Sequence, residues 1–385
     1  MEKKKIICFS TSEWDNLQWT NRQNLMSRLA RKYEVLYIDP GIQSKRYYKR
    51  KLLKNPFRFL FTWWKQTDGV TVLSPVLLFL YRGPHLLRAL SWFILKKIVS
   101  YYLAGQEEII FWYYSPEAFV RTRDMPAVLK VYDCVDFYEE SPYYGQREKE
   151  KERFLNLEKQ MLKVVDLTIF TSKPLADNKG KFAKNYILEE NVADVAIFKE
   201  KATFKRHHPG DRIDVFYVGA INSHKVDLTL IQKLDKEGFA VTMIGPIGGW
   251  GSSDNIDPQN LQNVRFLGPK DHEELPGYIA ESNVCIIPYN INGYTRGVFP
   301  LKLFEYLASG KPVVSTALPS LADYDTLIYL SDDHDSFINN IRKCVEQDSR
   351  QKFTRRIEVA SENSWEKKVE RIDQKISELI HECTH

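Results

Sequence analysis

The first half of the chain alternates short apolar runs with longer stretches in which apolar residues return every three or four positions. Such runs predict buried strands, and the periodic stretches between them predict helices. Strands are expected at 5–9, 34–38, 70–73, 108–112, 129–132, 167–170 and 185–188. A helix over 144–164, with Leu155, Met161 and Leu162 facing inward, separates the fifth strand from the sixth. A second series of strands is expected at 214–218, 240–244, 264–267, 284–288 and 312–315. Alternation of this kind, met twice, predicts an α/β protein of two doubly wound domains. The last apolar pattern, Trp365, Val369, Ile372, Ile376 and Leu379 after Asn363-Ser364, predicts a terminal helix whose apolar stripe needs a partner. The expected division is a first domain over 1–195, a charged linker over 196–212, a second domain over 213–364 and the helix over 365–385.

Within that pattern the run Phe299-Pro300-Leu301-Lys302-Leu303-Phe304-Glu305-Tyr306-Leu307-Ala308-Ser309-Gly310-Lys311-Pro312-Val313-Val314-Ser315 carries the most chemistry. Pro300 suits the first helical position and Gly310 the left-handed position after the last turn, which predicts a helix of about ten residues. Leu303 and Leu307 would face the core, with Lys302 and Glu305 three apart on an exposed face. Lys302 would lie in the first turn, where free N–H groups and the helix dipole favour an anion such as phosphate. Glu305, one turn deeper, could accept hydrogen bonds from a ribose diol. An exposed ion pair on an ordinary helix is the plainer alternative.

The segment resembles the donor-binding motif of GT-B glycosyltransferases, in particular the family 4 (group 1) pattern P-L-K-L-F-E-Y-L-A-x-G-K-P-V-V of enzymes that build capsules, teichuronic-type wall polymers and exopolysaccharides. The resemblance implies two Rossmann-like domains facing a cleft, with the terminal helix crossing back onto the first. It implies a nucleoside-diphosphate sugar held by Pro300, Leu301, Lys302 and Glu305. The family carries a second glutamate eight positions earlier, where this chain has Gly297. The backbone of the turn 297–299 is expected to replace it, with Arg296 as a further diphosphate contact. Gly219-Ala220-Ile221-Asn222-Ser223-His224-Lys225 resembles the phosphate loop G-R-x-x-x-x-K, so Gly219 and Lys225 are donor candidates, with Ala220 in the arginine's place. Phe266 and Leu267 occupy the position where family members bind the base through main chain. On the first domain, Trp14, Gln18 and Trp19 resemble an acceptor-side D-W…Q-W stretch, and a core role for both tryptophans fits equally well. Asp133 stands approximately where many members have a histidine, and Asp133 and Asp136 could orient the acceptor hydroxyl or cap a following turn.

Composition narrows the setting. The chain has 385 residues, enough for two domains, and 43% hydrophobic with 27% charged residues is globular. Five scattered cysteines without C-x-x-C spacing predict a reduced, cytoplasmic protein with no zinc site. The apolar run after the basic start is too short for a signal peptide, and Arg82 and Arg88 break the most apolar window, 76–95, so no membrane span is expected. Charge is uneven: between Gln43 and Tyr102 twelve Lys or Arg face one acid, Asp68, with aromatics interleaved. The segment from Lys45 to Lys65 therefore suits an anionic membrane surface on the inner face of the plasma membrane. Nucleic acid is not expected, since no binding motif accompanies the charge.

Together these readings predict transfer of a sugar, from a UDP-sugar above other donors, to a lipid-linked or polysaccharide acceptor. The resemblance implies a retaining reaction without a metal. A nucleotide-sugar 2-epimerase and a non-catalytic scaffold of a polymer-synthase complex are the alternatives.

Overall fold

The computed structural model describes residues 3–15, 19–40, 63–74, 85–103, 105, 108–208, 210–248 and 261–384, apart from the side chains of 63–65, 383 and 384. Gln18, most of the basic segment 45–65 and the loop 249–260 lie outside the described residues.

The first domain runs through β1 (Lys5–Phe9), α1 (Asn21–Leu29), β2 (Glu34–Ile38), β3 (Trp63–Thr67), β4 (Val70–Ser74), α2 (His85–Tyr102) and β5 (Ile109–Tyr113). It continues with α3 (Pro116–Thr122), β6 (Leu129–Cys134), α4 (Glu148–Leu162), β7 (Leu167–Phe170), α5 (Lys173–Lys179) and β8 (Tyr186–Leu188). Its sheet has the order β3-β4-β2-β1-β5-β6-β7-β8 and is parallel except for the β3–β4 pair. The strand β3 was not expected. Its Lys65-Gln66-Thr67 end has no apolar alternation, and the hairpin with β4 at Asp68-Gly69, both at positive φ, brings it into register.

The second domain contains α6 (Val195–Glu200), β9 (Asp214–Val218), α7 (Leu228–Lys236), β10 (Ala240–Ile244), β11 (Val264–Phe266), α8 (Leu275–Glu281) and β12 (Val284–Ile287). Then follow α9 (Lys302–Ala308), β13 (Val313–Thr316), β14 (Tyr329–Ser331), α10 (His334–Glu346), α11 (Arg350–Glu362) and α12 (Trp365–Thr384), the last of which leaves the domain. The sheet order is β11-β10-β9-β12-β13-β14, and every pair is parallel. Chain order reverses beside β1 in the first sheet and beside β9 in the second, which marks the crevices where such sheets bind ligands.

The passage between domains differs from the expected 196–212 linker. Val195 and Phe198 of α6 are buried in the second domain's core, so the chain has already crossed before residue 196. It crosses back beside the same point, where Ala193 pairs with Ser364 as an isolated bridge. From there Trp365, Val369, Ile372, Ile376 and Leu379 of α12 join the first domain's core with Leu25 and Leu29 of α1. Lys368 of α12 is fully buried, and its ammonium bonds the Glu189 and Glu190 carbonyls at 2.9 and 3.0 Å and Asn21 Oδ1 at 3.3 Å. Burial pulls its pKa down to about 8. The lysine thus ties the returning helix to the end of β8.

Contacts across the junction show which edges face each other. Ser172, just past β7, donates to the Gly297 carbonyl at 2.7 Å, and Asn191, just past β8, donates to the Phe299 carbonyl at 2.9 Å. Gly297 and Phe299 follow β12. Both partners therefore lie beyond the carboxyl ends of their strands, and the two carboxyl rims meet.

Candidate active site

The rim of the second domain is built from the loops after β9, β10, β11 and β12. The first three are laced together by main chain: Gly219 N–H bonds Ile244 O at 2.9 Å, Ile221 N–H bonds Pro246 O at 2.9 Å, and Gly245 N–H bonds Gly268 O at 3.0 Å. A Cβ at Gly245 would come within 2.0 Å of the Gly219 carbonyl oxygen, so that glycine is required by loop-to-loop packing rather than by a ligand. The Leu267 N–H is spent on the Met243 carbonyl at 3.0 Å. Phe266 and Leu267 are half-buried at this edge.

The loop that carries Lys225 is held by residues the sequence reading passed over. Asn290 Nδ2 donates to the Ser223 and Val226 carbonyls at 2.6 and 3.1 Å, and Asn292 Nδ2 donates to the His224 carbonyl at 2.7 Å. Lys225 itself lies half-buried with its ammonium 4.7 Å from the centre of the Tyr289 ring. Asparagines at a strand end carry no distinctive signal, because their partners are main-chain atoms of a loop more than 60 residues away.

The helix α9 is shorter than expected. Pro300 lies before it rather than in its first turn, Leu301 is the flanking residue, and Lys302 opens the seven helical residues. Gly310 does take the left-handed conformation, with φ of 70°. Leu303 and Leu307 are buried, and the half-buried Leu301 packs against the first domain's core. The Tyr306 hydroxyl accepts the Val218 N–H at 3.0 Å, which fixes α9 against the end of β9.

Glu305 is buried as well, contrary to the expected exposed face. Its Oε1 accepts from Lys302 Nζ at 3.1 Å, and its Oε2 lies 2.9 Å from the same ammonium without a well-aligned hydrogen bond. His272 Nε2 stands 3.4 Å from Oε1. Burial pushes the Glu305 carboxyl up, but the Lys302 charge and the His272 contact outweigh it and hold the group below the usual carboxylate range. An ionised, buried acceptor thus sits one turn inside the rim. His272 was not singled out in the sequence. It opens a short turn capped by Asp271 and Glu274, and it reaches Glu305 from 33 residues away while its ring packs on Phe198.

The backbone of Gly297 and the N–H of Val298 are already bonded within the protein, which narrows the expected backbone contact of the turn. The Gly297 N–H bonds the Tyr294 carbonyl at 3.2 Å, the Val298 N–H bonds the Thr295 carbonyl at 3.1 Å, and the Gly297 carbonyl is taken by Ser172. A Cβ there would fall 2.4 Å from Cδ2 of Phe137, so the first domain fills the space a side chain would use. Phe137 is itself braced: the ammonium of buried Lys179 lies 5.2 Å from its ring centre and bonds both Glu139 and Glu158. Arg296 is exposed.

On the first domain the candidates separate. Asp133 is only 1% exposed, bonded by Asn21 Nδ2 at 3.3 Å, with Lys368 among its charged neighbours, and burial raises its pKa. It belongs to the packing under α1 rather than to the cleft surface. Trp14 is likewise core, with its ring 4.9 Å from Tyr37 and 5.3 Å from Trp19, and only Trp19 reaches the surface. Asp136 is different. Burial pushes its carboxyl up to about 6, against the opposing pull of Arg22, of Lys225 and of a hydrogen bond from Tyr294. Lys225 and Tyr294 belong to the second domain, so Asp136 is a first-domain carboxylate that faces the donor rim. Arg22 lies over the Tyr114 ring at 4.8 Å and donates to the Tyr138 hydroxyl.

Comparison with known proteins agrees with this geometry. Residues 212–347 match the family described as Glycosyl transferases group 1. A Bacillus subtilis (strain 168) protein that carries the name teichuronic acid biosynthesis glycosyltransferase TuaH is 40% identical over 106 residues, which is 27% of this chain. The chain spans about a quarter of the length of that curated relative, 26%. Among solved structures, the sucrose-phosphate synthase of Thermosynechococcus elongatus superposes over 98% of this chain and 100% of its own with a TM-score of 0.68 at 16% identity. Anabaena HepE in complex with UDP superposes over 97% and 100% with a TM-score of 0.66 at 13% identity. The E. coli structure bound with UDP-2-fluoro glucose covers 98% and 99% with a TM-score of 0.63 at 11% identity. These likenesses among solved structures establish the GT-B fold, and the second domain is similar to the family described as Glycosyl transferases group 1.

Proposed function

We propose that the protein transfers a sugar from a UDP-sugar to a saccharide acceptor, lipid-linked or polymeric, in cell-surface polysaccharide synthesis. The observation that carries this reading is the buried, ionised Glu305 tied to Lys302 and His272 beside the reversal in the second sheet. A carboxylate so placed accepts two hydroxyl donors, which suits a ribose diol. Solved structures of similar fold hold UDP or UDP-2-fluoro glucose, which supports uridine as the base.

Lys302 would serve Glu305 and the diphosphate together. An ammonium has three N–H donors, and Glu305 uses at most two of them. Lys225 would supply the second positive charge, so the departing UDP is stabilised by protein cations and the reaction needs no metal. Asp136, opposite Lys225, would orient the acceptor hydroxyl while a donor phosphate oxygen receives its proton on the same sugar face, retaining configuration. The relative named for teichuronic acid synthesis supports a wall-polymer acceptor.

Calorimetry with UDP, UMP and uridine tests the donor side. Lys225→Ala and Lys302→Ala should each weaken UDP by about tenfold or more and uridine little. Equal weakening of all three ligands overturns the diphosphate assignment. The closed backbone of Gly297 favours a non-catalytic scaffold as a second reading. Release of UDP from UDP-glucose or UDP-N-acetylglucosamine without acceptor separates an enzyme from that scaffold, and conversion to the 2-epimer identifies an epimerase.

A further inference from the structure

The helix α2 carries an apolar face that no other described element of the first domain covers. Its inner side is ordinary: Trp92, Leu95 and Val99 are buried, and the Trp92 ring lies 6.3 Å from Phe9 of β1. On the outer side Leu86 is 81% exposed, Leu90 55%, Phe93 59% and Tyr101 87%, with Leu87 and Ile94 exposed beside them. At 100° per residue these six side chains fall within an arc of about 120°. Single exposed apolar residues are ordinary, whereas a continuous stripe marks an interaction surface.

We infer that this face of α2 docks on an anionic bilayer, lying in the plane of the interface. The helix contains no acid; Arg88 turns to the inner side and pairs with Glu117 at 3.8 Å and Lys96 is half-buried, while the exposed Lys97 lies within the apolar arc with its ammonium 5.7 Å from the Phe93 ring centre. A pairing of two copies through this face would set like charges against each other, whereas anionic headgroups would complement them. At 18 residues the helix is about 27 Å long. No helix among the described residues is long and apolar enough to cross a membrane. An amphipathic helix with one apolar arc and cations is the form that lies on a bilayer.

Topology puts this surface where it would matter. Because β4 and β5 both run parallel to the central strands, α2 returns the chain from the carboxyl rim to the amino edge. Leu86, Leu87 and Leu90 therefore sit toward the rim that faces the second domain. The strand β2 ends and the antiparallel β3 begins at the same rim, so the chain enters and leaves its basic stretch there. Seven cations, from Lys45 to Arg58, lie in that stretch. Docking would bring the cleft mouth to the membrane, which deepens the lipid-linked part of the proposed function and depends on it for purpose, not for evidence.

Cosedimentation of the full chain with vesicles tests the inference without any donor. The parent should bind phosphatidylcholine–phosphatidylglycerol vesicles at least about tenfold more tightly than phosphatidylcholine alone. Replacing Leu86, Leu90 and Phe93 together by Gln should cut that binding by at least about tenfold, with an unchanged melting curve by circular dichroism. Absence of binding by the parent, or equal binding by the triple variant, overturns the inference. So does a parental dimer in ultracentrifugation that the triple variant dissolves, since the face then joins two copies. Should the triple variant not fold, Phe93→Cys carrying a polarity-sensitive dye replaces it. A blue shift on adding anionic vesicles supports docking, and no shift overturns it. Failure of the donor reading would appear separately, as a parent that binds vesicles but not UDP.

Discussion

The two carboxyl rims of this molecule are built on the same architecture and treat charge in opposite ways. On the second domain, Lys225, Lys302 and Glu305 are brought to the edge of the sheet, where Asn290 and Asn292 hold the loop of Lys225 and His272 approaches the Lys302–Glu305 pair. On the first, Asp133 and Trp14 are drawn under the surface, and Asp136 is left facing across the junction. A site for a charged, invariant diphosphate is best made of fixed cations with an ionised acceptor. A site for an acceptor can be left to a rim whose charge lies in loops and along a helix. The family match follows the same division, covering 212–347 and none of the first domain.

The comparison breaks most decisively at Glu305. Glu305→Ala should lower kcat/KM for the UDP-sugar by about 30- to 1,000-fold, equivalent to about 2 to 4 kcal/mol of lost charge-assisted hydrogen bonding. Unchanged steady-state kinetics would move the donor site elsewhere. Next in size is Gly297→Glu, which restores the residue the family pattern carries. It should collide with Phe137 and cost about 1–3 kcal/mol of stability, seen as a lower Tm. Phe137→Ala in the same chain should recover most of the loss. Without that recovery, the two rims do not compete for this space.

Asp136 gives the comparison its pH dependence. The folded carboxyl titrates at about 6, above its ordinary value of 3.8, so it is protonated below that point. Activity should fall as pH drops through about 6, and Asp136→Asn should remove that limb from the profile of kcat/KM. The same raised pKa means that the folded state binds the proton more tightly. The group's stabilising effect is therefore greatest at low pH and is lost as pH rises from 3.8 to about 6. Melting curves of the Asn variant should lack that decline. The smallest effect is expected at His272, whose side chain is 49% exposed. His272→Ala should weaken UDP by about two- to tenfold, and no change would leave Lys302 as the partner that keeps Glu305 ionised.

Much of this was legible beforehand because the signals are local. Apolar runs located β1, β2, β7, β9 and β10 to the residue, since a strand buried on both faces must be continuously apolar. The helix α9 was legible because a proline before it, two leucines, a lysine and a glutamate within it and a glycine after it keep helical spacings. The short strand β3 was missed, because its place depends on pairing with β4 rather than on its own pattern.

What the chain could not state alone is which polar groups would be buried and by what. Spacing set Lys302 and Glu305 one turn apart, but only the packing of α9 against β9 and the approach of His272 buried that carboxylate beside the ammonium that keeps it ionised. The sequence showed that residue 297 lacks a side chain. Only the meeting of the rims showed that Phe137 occupies its place and that Ser172 takes its carbonyl. In the same way 4,3,4,3 spacing announced an apolar stripe on α12, and the tertiary structure chose the first domain to cover it, while on α2 no described element covers the outer one. The physical reason is the same in each case: periodicity fixes which side chains share a face, and burial, partners and charge are properties of whatever that face meets.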